Sequence, residues 1–579
     1  MIKIITYLTP IFPFLLACNP TYQNTPQSEA EMADTVLTNG KIYTVNPQQP
    51  WAEAIAIKDG RYSFVGASAD ALSFVGKDTK LIDLQGKMAM PGINDAHTHS
   101  WQGGFKLLYE CNFHFTATPD EIAETIKGCI QANPDAQWIR GGQWTSDFFK
   151  NYDLGSPKKW LDAVSEDKAV YFQDDATHNA WVNSKALELA GIDKDTPDPK
   201  GGAFVRDEHG EPNGLVLETA KSVIEQYLPE WTLEQNVASL DAAVSHANSY
   251  GITGVNEART PPEISLAYQQ LDKQGLLSAY AITYLQTPRG RRDKPFDIGP
   301  MQVISEKYSS EHVYTKFAKM FLDGVPTASR TAVMMQPYLT DNEFPEVTTG
   351  NLLIEPEVLF QDLVELDRAG FTVKIHTAGD GAVRIALDAI EKMRTVNGSS
   401  GLRHQLAHVG FIEPDDLPRF AELNVTADLS PYLWFPSPLI ESTIGAVGER
   451  ALRYWPIKDL LASRTDVSIG SDWPSAVDTM NPWPAIEAMV TRKNPYSDSE
   501  ETLWAEQAIT LKQALKIFTL DGARAYRLED LTGSIEVGKS AELIILEQNP
   551  FSVRPEDISD IKVEKTFFAG DVVYEKLTP

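Results

Sequence analysis

Short apolar runs that alternate with amphipathic stretches are the feature of this sequence that most limits its fold. Eight of these runs are predicted as strands, because each has strand length and is bounded by turn-forming residues. They end near His99 and within GITGVNEA, LSAYAITYLQ, YTKFAKMFLDG, FTVKIHTAGD, RHQLAHVGF, NVTADLSPY and DVSIGSDWP. Strands that alternate with helices form parallel sheets, and eight of them close into a barrel. The sequence therefore predicts an α/β protein with a (β/α)8 TIM-like barrel over residues 91–530.

Both ends of the chain carry strand-like segments with glycine turns. Residues 34–90 contain TVLTNGKIYTV and AEAIAIKDGRYSFVG, and residues 531–579 contain GSIEVGKSAELIILEQNP and VEKTFFAGDVVYE. Because neither part can make a sheet alone, we expect one small β-sandwich domain built from both chain ends. The stretch between the first two barrel strands, about 105–245, predicts a helical insertion with irregular segments that forms part of the substrate pocket.

Residues 1–18 predict a bacterial lipoprotein signal peptide. The segment MIKIITYLTPIFPFLLACNP has one early lysine, an apolar run too short to stay in a membrane, and a lipobox-like LLAC. Cys18 is then the expected site of lipid attachment, with residues 19–33 as a tether. Asn19 favours an outer-membrane anchor that faces the periplasm, and a plain cleaved signal peptide is the alternative. Cys111 and Cys129 remain in the mature chain, and their pairing is left open.

The charge balance excludes a nucleic-acid partner. The chain has 80 acidic and 51 basic residues and a formal charge of -29, whereas phosphate neutralisation requires an excess of Lys and Arg. A length of 579 residues with 42% hydrophobic content permits a large core and one catalytic domain with an accessory domain.

Polar side chains lie in or at the ends of the predicted barrel strands, where this fold places its chemistry. They are His97, His99, Lys319, His376, His408 and Asp472. Each alone is more often a packed or solvated residue, but together they predict a metal centre. Imidazole and carboxylate ligands suit zinc, as one or two ions, with one position left for water. Asp472 is suited to accept a proton from that water, and Lys319 becomes a ligand only if carbon dioxide converts its amine to a bridging carbamate.

The chain resembles the amidohydrolase superfamily, and specifically the amidohydrolase-3 branch, whose members include formamide deformylases. The resemblance rests on PGINDAHTHS, KMFLDGVPTASRTA, IHTAGDGAV, RHQLAHVGFIEPDDLPRF and IGSDWPSAVDTMNPWPAI, on WIRGGQW and DDATHNAWVNSKAL in the insertion, and on the C-terminal GSIEVGKSAELIILEQNP. It implies the same metal and catalytic set, and it implies that His178 binds substrate or polarises its carbonyl group. Ala407 departs from the family, which usually has Glu there. Glu257, at the end of strand two, is either an additional acid or part of a salt bridge at the rim.

These observations predict a metal-dependent hydrolase that cleaves the C–N bond of a small amide or formamide, with Asp472 transferring the proton. A heterocycle deaminase with one metal is an alternative, and so is a lipid-anchored binding protein without turnover. A homodimer is left open. The insertion is rich in aromatic residues, which indicate either an apolar substituent on the substrate or ordinary packing. They are Trp101, Trp138, Trp144, Phe148 and Phe149.

Overall fold

A computed structural model describes residues 32–114, 117–145, 148–174, 179–199, 202–327, 329–341, 344–475 and 477–577. The predicted lipobox with Cys18, and also His178, lie outside the described residues. In the ranges given, no helix combines the length and the apolar character needed to cross a membrane.

The strands of the described chain are short, and their labels follow chain order. They are β1 (Thr35–Thr38), β2 (Lys41–Tyr43), β3 (Trp51–Ala52), β4 (Ala54–Lys58), β5 (Arg61–Gly66), β6 (Lys80–Asp83), β7 (Met88–Pro91), β8 (Ile93–Thr98), β9 (Cys111–Asn112), β10 (Trp138–Trp144), β11 (Ala169–Asp174), β12 (Asn179–Val182), β13 (Gly202–Arg206), β14 (Pro212–Glu218), β15 (Ile252–Thr260), β16 (Tyr280–Gln286), β17 (Val313–Phe321), β18 (Thr372–Thr377), β19 (His404–His408), β20 (Val425–Leu429), β21 (Val467–Ile469), β22 (Leu543–Leu546), β23 (Val563–Phe568) and β24 (Asp571–Glu575).

The α-helices are labelled in the same way. They are α1 (Ser68–Ala71), α2 (Ser100–Leu108), α3 (Pro119–Ala132), α4 (Phe148–Asn151), α5 (Pro157–Val164), α6 (Ser184–Leu189), α7 (Ser222–Glu225), α8 (Leu233–Ser249), α9 (Pro262–Lys273), α10 (Gly299–Tyr308), α11 (Pro356–Arg368), α12 (Asp380–Asn397), α13 (Leu417–Glu422), α14 (Pro438–Val447), α15 (Ile457–Ala462), α16 (Pro482–Thr491), α17 (Leu511–Lys516) and α18 (Gly522–Ala525).

The predicted barrel is confirmed. Strands β8 and β15 to β21 form an eight-stranded sheet in chain order, and every hydrogen-bonded pair in it is parallel. The first and last strands are joined by hydrogen bonds beyond the ladder. The Ser471 amide donates to Asp95 Oδ1 over 2.9 Å, and the Asp472 amide donates to the His97 carbonyl over 2.6 Å. These bonds bring the ends of strands one and eight together.

Local sequence signals begin the helices that surround the barrel. The Thr232 hydroxyl accepts the Gln235 amide, and the Gln235 side chain accepts the Thr232 amide, so that a capping box starts α8. Helices α9 and α11 begin with proline, whose fixed φ and missing N–H suit that position. Buried aliphatic residues of these helices join the strands in one core, and each fully buried Leu or Ile stabilises it by about 1.5–3 kcal/mol.

The sandwich built from both chain ends is also confirmed. One sheet has the order β5-β4-β1-β6, and the other has the order β24-β23-β22-β7-β2-β3. Leu37 and Ile55 of the first sheet pack with Ile42, Leu543 and Phe567 of the second in one buried cluster. The C-terminal strand β22 pairs with β7, so the second sheet needs both chain ends. The first sheet is built from the N-terminal part alone, so the expectation that neither part makes a sheet by itself is wrong for that part. The residue limits given for the domains stay predictions.

The prediction of a helical insertion is wrong in part. Strands β9 to β14 form a six-stranded mixed sheet in the order β13-β14-β12-β11-β10-β9, with helices α3 to α7 between or beside them. Strand β11 is buried along almost its whole length, so its sequence lacks the alternation that identifies a half-exposed strand. Helix α8, placed inside the insertion by the sequence, packs on α2 and α9 around the barrel. Cys111 and Cys129 are joined in a disulfide with a Cα–Cα distance of 5.8 Å.

Candidate metal centre

His97, His99 and Asp472 meet at the carboxyl end of the barrel, where strands one and eight close. The nearest oxygen of Asp472, Oδ1, lies 3.2 Å from His99 Nε2 and 3.6 Å from His97 Nε2. One ligand atom from each of the three residues lies within 4.8 Å of the others. Gly470 permits this closure, because a Cβ there would lie 2.3 Å from the His97 Cβ and backbone nitrogen. These are three of the six residues predicted as ligands, and two more, Lys319 and His408, lie directly beside His97.

The orientation of His97 is fixed by a buried carboxylate that the sequence analysis missed. His97 Nδ1–H donates to Asp428 Oδ2 over 2.7 Å, and the Lys374 ammonium lies 2.8 Å from the same oxygen. The side chains of Asp428 and Lys374 are fully buried. Because Nδ1 carries the proton, Nε2 presents its lone pair to the site, as carboxylate-bound metal histidines do. Lys374 could have been found by its spacing, since it lies two residues before His376 on the same face of β18.

Lys319 lies beside His97 in the barrel interior. Its Nζ is 3.2 Å from His97 Nε2, and the residue is 1% exposed. Burial, and next the charge of Lys374, lower the pKa of the Lys319 ammonium to about 7. A substantial fraction of the amine is therefore unprotonated at neutral pH.

His376 and His408 complete a group of histidine rings. The ring centroids of His376 and His408 are 4.4 Å apart, and those of His408 and His97 are 4.9 Å apart. The Nε2–H of His376 donates to the Gly324 carbonyl over 2.9 Å, which leaves its Nδ1 as the acceptor nitrogen. Ala407, the residue that departs from the family pattern, is fully buried beside His376 in the sheet register.

Burial keeps the four histidines of the site neutral. It lowers the pKa of His376 to about 4 and the pKa of His99 below its usual value, and it places the pKa values of His97 and His408 well below 6.5. Neutral imidazole is the form that binds metal. The site is therefore ready to take a cation without first releasing protons from these rings.

Glu257 lies behind His99 and is fully buried, so the interpretation as a salt bridge at the rim is wrong. Its Oε2 accepts the Trp101 amide over 3.1 Å and the Tyr268 hydroxyl over 3.2 Å. Glu257 Oε1 and His99 Nδ1 are 3.9 Å apart, and both atoms are buried without a hydrogen-bond partner. Burial raises the pKa of this carboxyl to about 8. Glu257 therefore faces the outer nitrogen of His99 rather than solvent.

Two residues of the site have strained backbone. His408 and Asp472 have φ values of +73° and +62°, in the left-handed region that residues other than glycine seldom adopt. Such conformations persist where the surrounding structure imposes them, and they are frequent at functional sites. In both residues the strain occurs at a strand end that aims a side chain into the barrel mouth.

The aromatic residues of the insertion pack within it. Trp144 and Phe148 are buried in its core, where Phe149 packs against them, and Trp138 packs against a neighbouring cluster. Trp101 lies instead beside the site and packs against the barrel core. Trp101 is tied to the site through its amide, which donates to Glu257 behind His99.

Comparisons with known proteins agree with this architecture. A family model described as "Amidohydrolase family" matches residues 80–574. Protein LONG AFTER FAR-RED 3 of Arabidopsis thaliana is 29% identical over 557 residues, which cover 94% of this chain and 92% of that protein. N-substituted formamide deformylase of Arthrobacter pascens is 26% identical over 561 residues, covering 94% and 99%. The solved structure of an uncharacterized metal-dependent hydrolase from Pyrococcus horikoshii OT3 has the same fold, with a TM-score of 0.71, 24% identity, and coverage of 90% of this chain and 99% of that one.

Proposed function

This chain belongs to the amidohydrolase family, and from that premise we propose that it cleaves the C–N bond of a small amide or formamide. It is a metal-dependent hydrolase of the amidohydrolase type. The choice of bond is supported by the likeness to N-substituted formamide deformylase, which extends over almost all of both chains. The observation that carries the proposal is the cluster of His97, His99 and Asp472 at the carboxyl end of the barrel.

The donor set fits a divalent metal, and we propose zinc, as one or two ions. Two ligands at about 2.1 Å from a tetrahedral zinc are separated by about 3.4 Å, and Asp472 Oδ1 lies 3.2 and 3.6 Å from the two histidine nitrogens. His376, His408 and Lys319 lie on strands five, six and four of the barrel and would complete the centre. A divalent ion held there would lower the pKa of a water molecule and polarise a carbonyl oxygen.

Asp472 is the residue assigned to proton transfer. Its carboxylate reaches the two histidines of strand one and is 20% exposed, so it can meet both water and the substrate nitrogen. In this assignment it accepts the proton of the attacking water and delivers it to the nitrogen as the C–N bond breaks. His178 would donate a hydrogen bond to the substrate carbonyl from the insertion, but it lies outside the described residues and is carried as a proposal alone.

We also propose that the Lys319 amine is carboxylated. The unprotonated nitrogen would attack the carbon of carbon dioxide and then release one proton, giving a carbamate anion with two ligand oxygens. The position of Nζ, 3.2 Å from His97 Nε2 and inside the barrel, supports this assignment. Such an anion could neutralise two neighbouring cations, whereas an unmodified ammonium would repel them.

The test is metal content and turnover measured on the same preparations. Purified protein, a His99→Gln variant and a His312→Gln control are analysed for bound metal and assayed with N-formyl, N-acyl and cyclic amides. His312 is a matched control, because it pairs with Asp272 over 2.7 Å beside the amino end of β17, away from the site. We expect wild type and the control to retain metal and activity, and His99→Gln to lose both. Hydrolysis that persists in protein freed of metal would refute the proposal.

We propose that the protein is a lipoprotein anchored through Cys18 in the outer membrane and facing the periplasm. The disulfide between Cys111 and Cys129 supports an oxidising compartment, because disulfides are rare in the reducing cytosol. Metabolic labelling with a fatty acid tests the anchor: Cys18→Ala should lose the label and keep the enzyme domain intact. Label in the variant, or none in wild type, would contradict it.

A further inference from the structure

Two arginines stand at the mouth of the barrel, next to the candidate centre but outside it. Arg259 is the second-last residue of β15, and Arg289 follows the end of β16 by three residues. The loop that carries Arg289 is held in place, because the Thr287 amide and hydroxyl both donate to the Lys319 carbonyl, over 3.1 and 2.9 Å. Both side chains therefore begin at the carboxyl ends of neighbouring strands.

Each guanidinium lies over an aromatic ring that borders the site. The Arg259 guanidinium carbon is 6.0 Å from the ring centroid of Trp101, which follows His99 by two residues. The Arg289 guanidinium carbon is 5.0 Å from the Phe321 centroid. Phe321 in turn stacks on His376, with centroids 5.7 Å apart. Phe321 thus contacts a histidine of the centre, and Trp101 lies on the helix that follows His99.

No carboxylate oxygen in the described part of the chain lies within 4.0 Å of either guanidinium. Arg259 Nε is buried without a hydrogen-bond partner. The nearby carboxylate of Glu225 is engaged elsewhere: it accepts the Tyr171 hydroxyl over 2.7 Å and lies 3.5 Å from Lys221 Nζ. Burial, and then the charge of Arg289, lower the pKa of Arg259 to about 10. The charge of Glu257 also acts on Arg259, but the Glu257 carboxylate makes its hydrogen bonds to the Trp101 amide and the Tyr268 hydroxyl. The two guanidiniums therefore repel one another, and neither is in contact with a carboxylate of the described chain.

Arg289 is exposed, whereas Arg259 is half-buried and its Nε is fully buried. Burying an unpaired charged group is costly, and a ligand that supplies the opposite charge would recover that cost at Arg259. The cationic pair is also unusual for this chain, whose formal charge is -29. A guanidinium presents its N–H groups as a planar fork that matches the two oxygens of a carboxylate. The flanking rings of Trp101 and Phe321 would exclude water from such a contact.

We propose that Arg259 and Arg289 bind a carboxylate group of the substrate, so that the substrate is an amide whose substituent carries a negative charge. The inference rests on the proposed function, because it places the amide at the centre between the strand-one histidines and Asp472. The carboxylate would then lie toward strands two and three. The arginines determine specificity and positioning, and they take no part in proton transfer.

The test compares matched ligands that differ only in the charge. The probes are N-formyl and N-acetyl derivatives of both enantiomers of leucine and phenylalanine, each with the carboxamide of the same amino acid. Binding is measured by calorimetry on the full chain loaded with zinc, in an Asp472→Asn background that slows turnover about a hundredfold or more. We expect at least one carboxylate to bind about tenfold or more tightly than its carboxamide, the range for a charge-assisted hydrogen bond.

Arg259→Met and Arg289→Met should each bring this ratio towards one, and Arg259→Lys should retain part of it. Arg291→Met is the matched control, because Arg291 is exposed and pairs with Glu355 over 3.2 Å; it should keep the ratio. Thermal unfolding of each variant verifies folding. Arg289 is exposed at the mouth, so its replacement should not disturb folding. Arg289→Met therefore tests the inference even if the Arg259 variants fail to fold.

Four results would overturn the inference. Three of them are the absence of any bound carboxylate, a wild-type ratio near one, and a ratio that both arginine variants leave unchanged. The fourth result is a Glu225→Gln variant that lowers the ratio as the arginine variants do. The arginines would then act through the insertion residue Glu225 and not by binding the substrate. Turnover of the same probes by wild type tests the proposed function separately: carboxylate-selective binding without hydrolysis refutes only the function, and hydrolysis without selectivity refutes only the inference.

Discussion

Replacing Asp428 with Asn should weaken metal binding and destabilise the barrel at the same time. The change keeps the size of the side chain but removes the charge that pairs with the buried Lys374 ammonium and orients His97. Breaking a buried ion pair on one side costs about 3–5 kcal/mol. Burial already lowers the pKa of Lys374 with Asp428 opposite it, so the lysine can release its proton in the variant. We therefore expect the free energy of unfolding to fall by about 3 kcal/mol, the lower end of that range.

The effect on metal affinity comes from the other contact of Asp428. Losing the carboxylate that holds a metal-binding histidine weakens metal affinity by about 10- to 100-fold. Urea unfolding of metal-free protein measures the first effect, and zinc competition with a chelating dye measures the second. In the double variant Asp428→Asn/Lys374→Met, which removes both charges, stability should recover in part while zinc affinity stays low.

The control for this experiment is Asp272→Asn. Asp272 contacts His312 over 2.7 Å beside the amino end of β17, so its replacement should cost stability without changing zinc affinity. The reasoning fails if Asp428→Asn binds zinc within twofold of wild type. It also fails if the double variant is less stable than the single one, because the buried lysine charge would then not be the source of the loss.

Three further predictions concern the site. Asp472→Asn should lower turnover by about a hundredfold or more while most metal and the affinity for a substrate analogue remain; near-normal activity would remove the proton-transfer role, and complete loss of metal would make Asp472 chiefly a ligand. Lys319→Ala should lose bound metal as well as activity, with partial rescue by short carboxylates, and full metal occupancy with normal turnover would exclude a bridging carbamate. Because the pKa of His376 is about 4 in the folded state and 6.5 is the ordinary value, the unfolded chain binds an extra proton between these values. The free energy of unfolding of metal-free protein should therefore fall as pH drops from 6.5 to 4, by about 3 kcal/mol from this residue, and His376→Gln should lessen the fall in pH-dependent urea unfolding.

The sequence alone determined the barrel, because strand length, helix periodicity and capping are local properties that can be read from neighbouring residues. All eight predicted strands occur, and His97 and His99 could be placed on one face since they are two residues apart on a strand. The secondary structure of the insertion was harder to predict. Its strand β11 is buried almost throughout, so its residues do not alternate and the pattern did not distinguish strand from helix.

The tertiary structure decided which side chains meet around those histidines. Asp428 and Lys374 lie 54 positions apart in the chain, on strands seven and five, and they form one buried charge network with His97 only when the barrel closes. Likewise the orientation of Glu257 behind His99 and the placement of Arg259 and Arg289 at one rim depend on the packing of loops and strands. Charge pairing and desolvation act over a few ångströms in space whatever the sequence separation, so local patterns could predict the residues that begin the site but not the contacts that set their protonation, orientation and specificity.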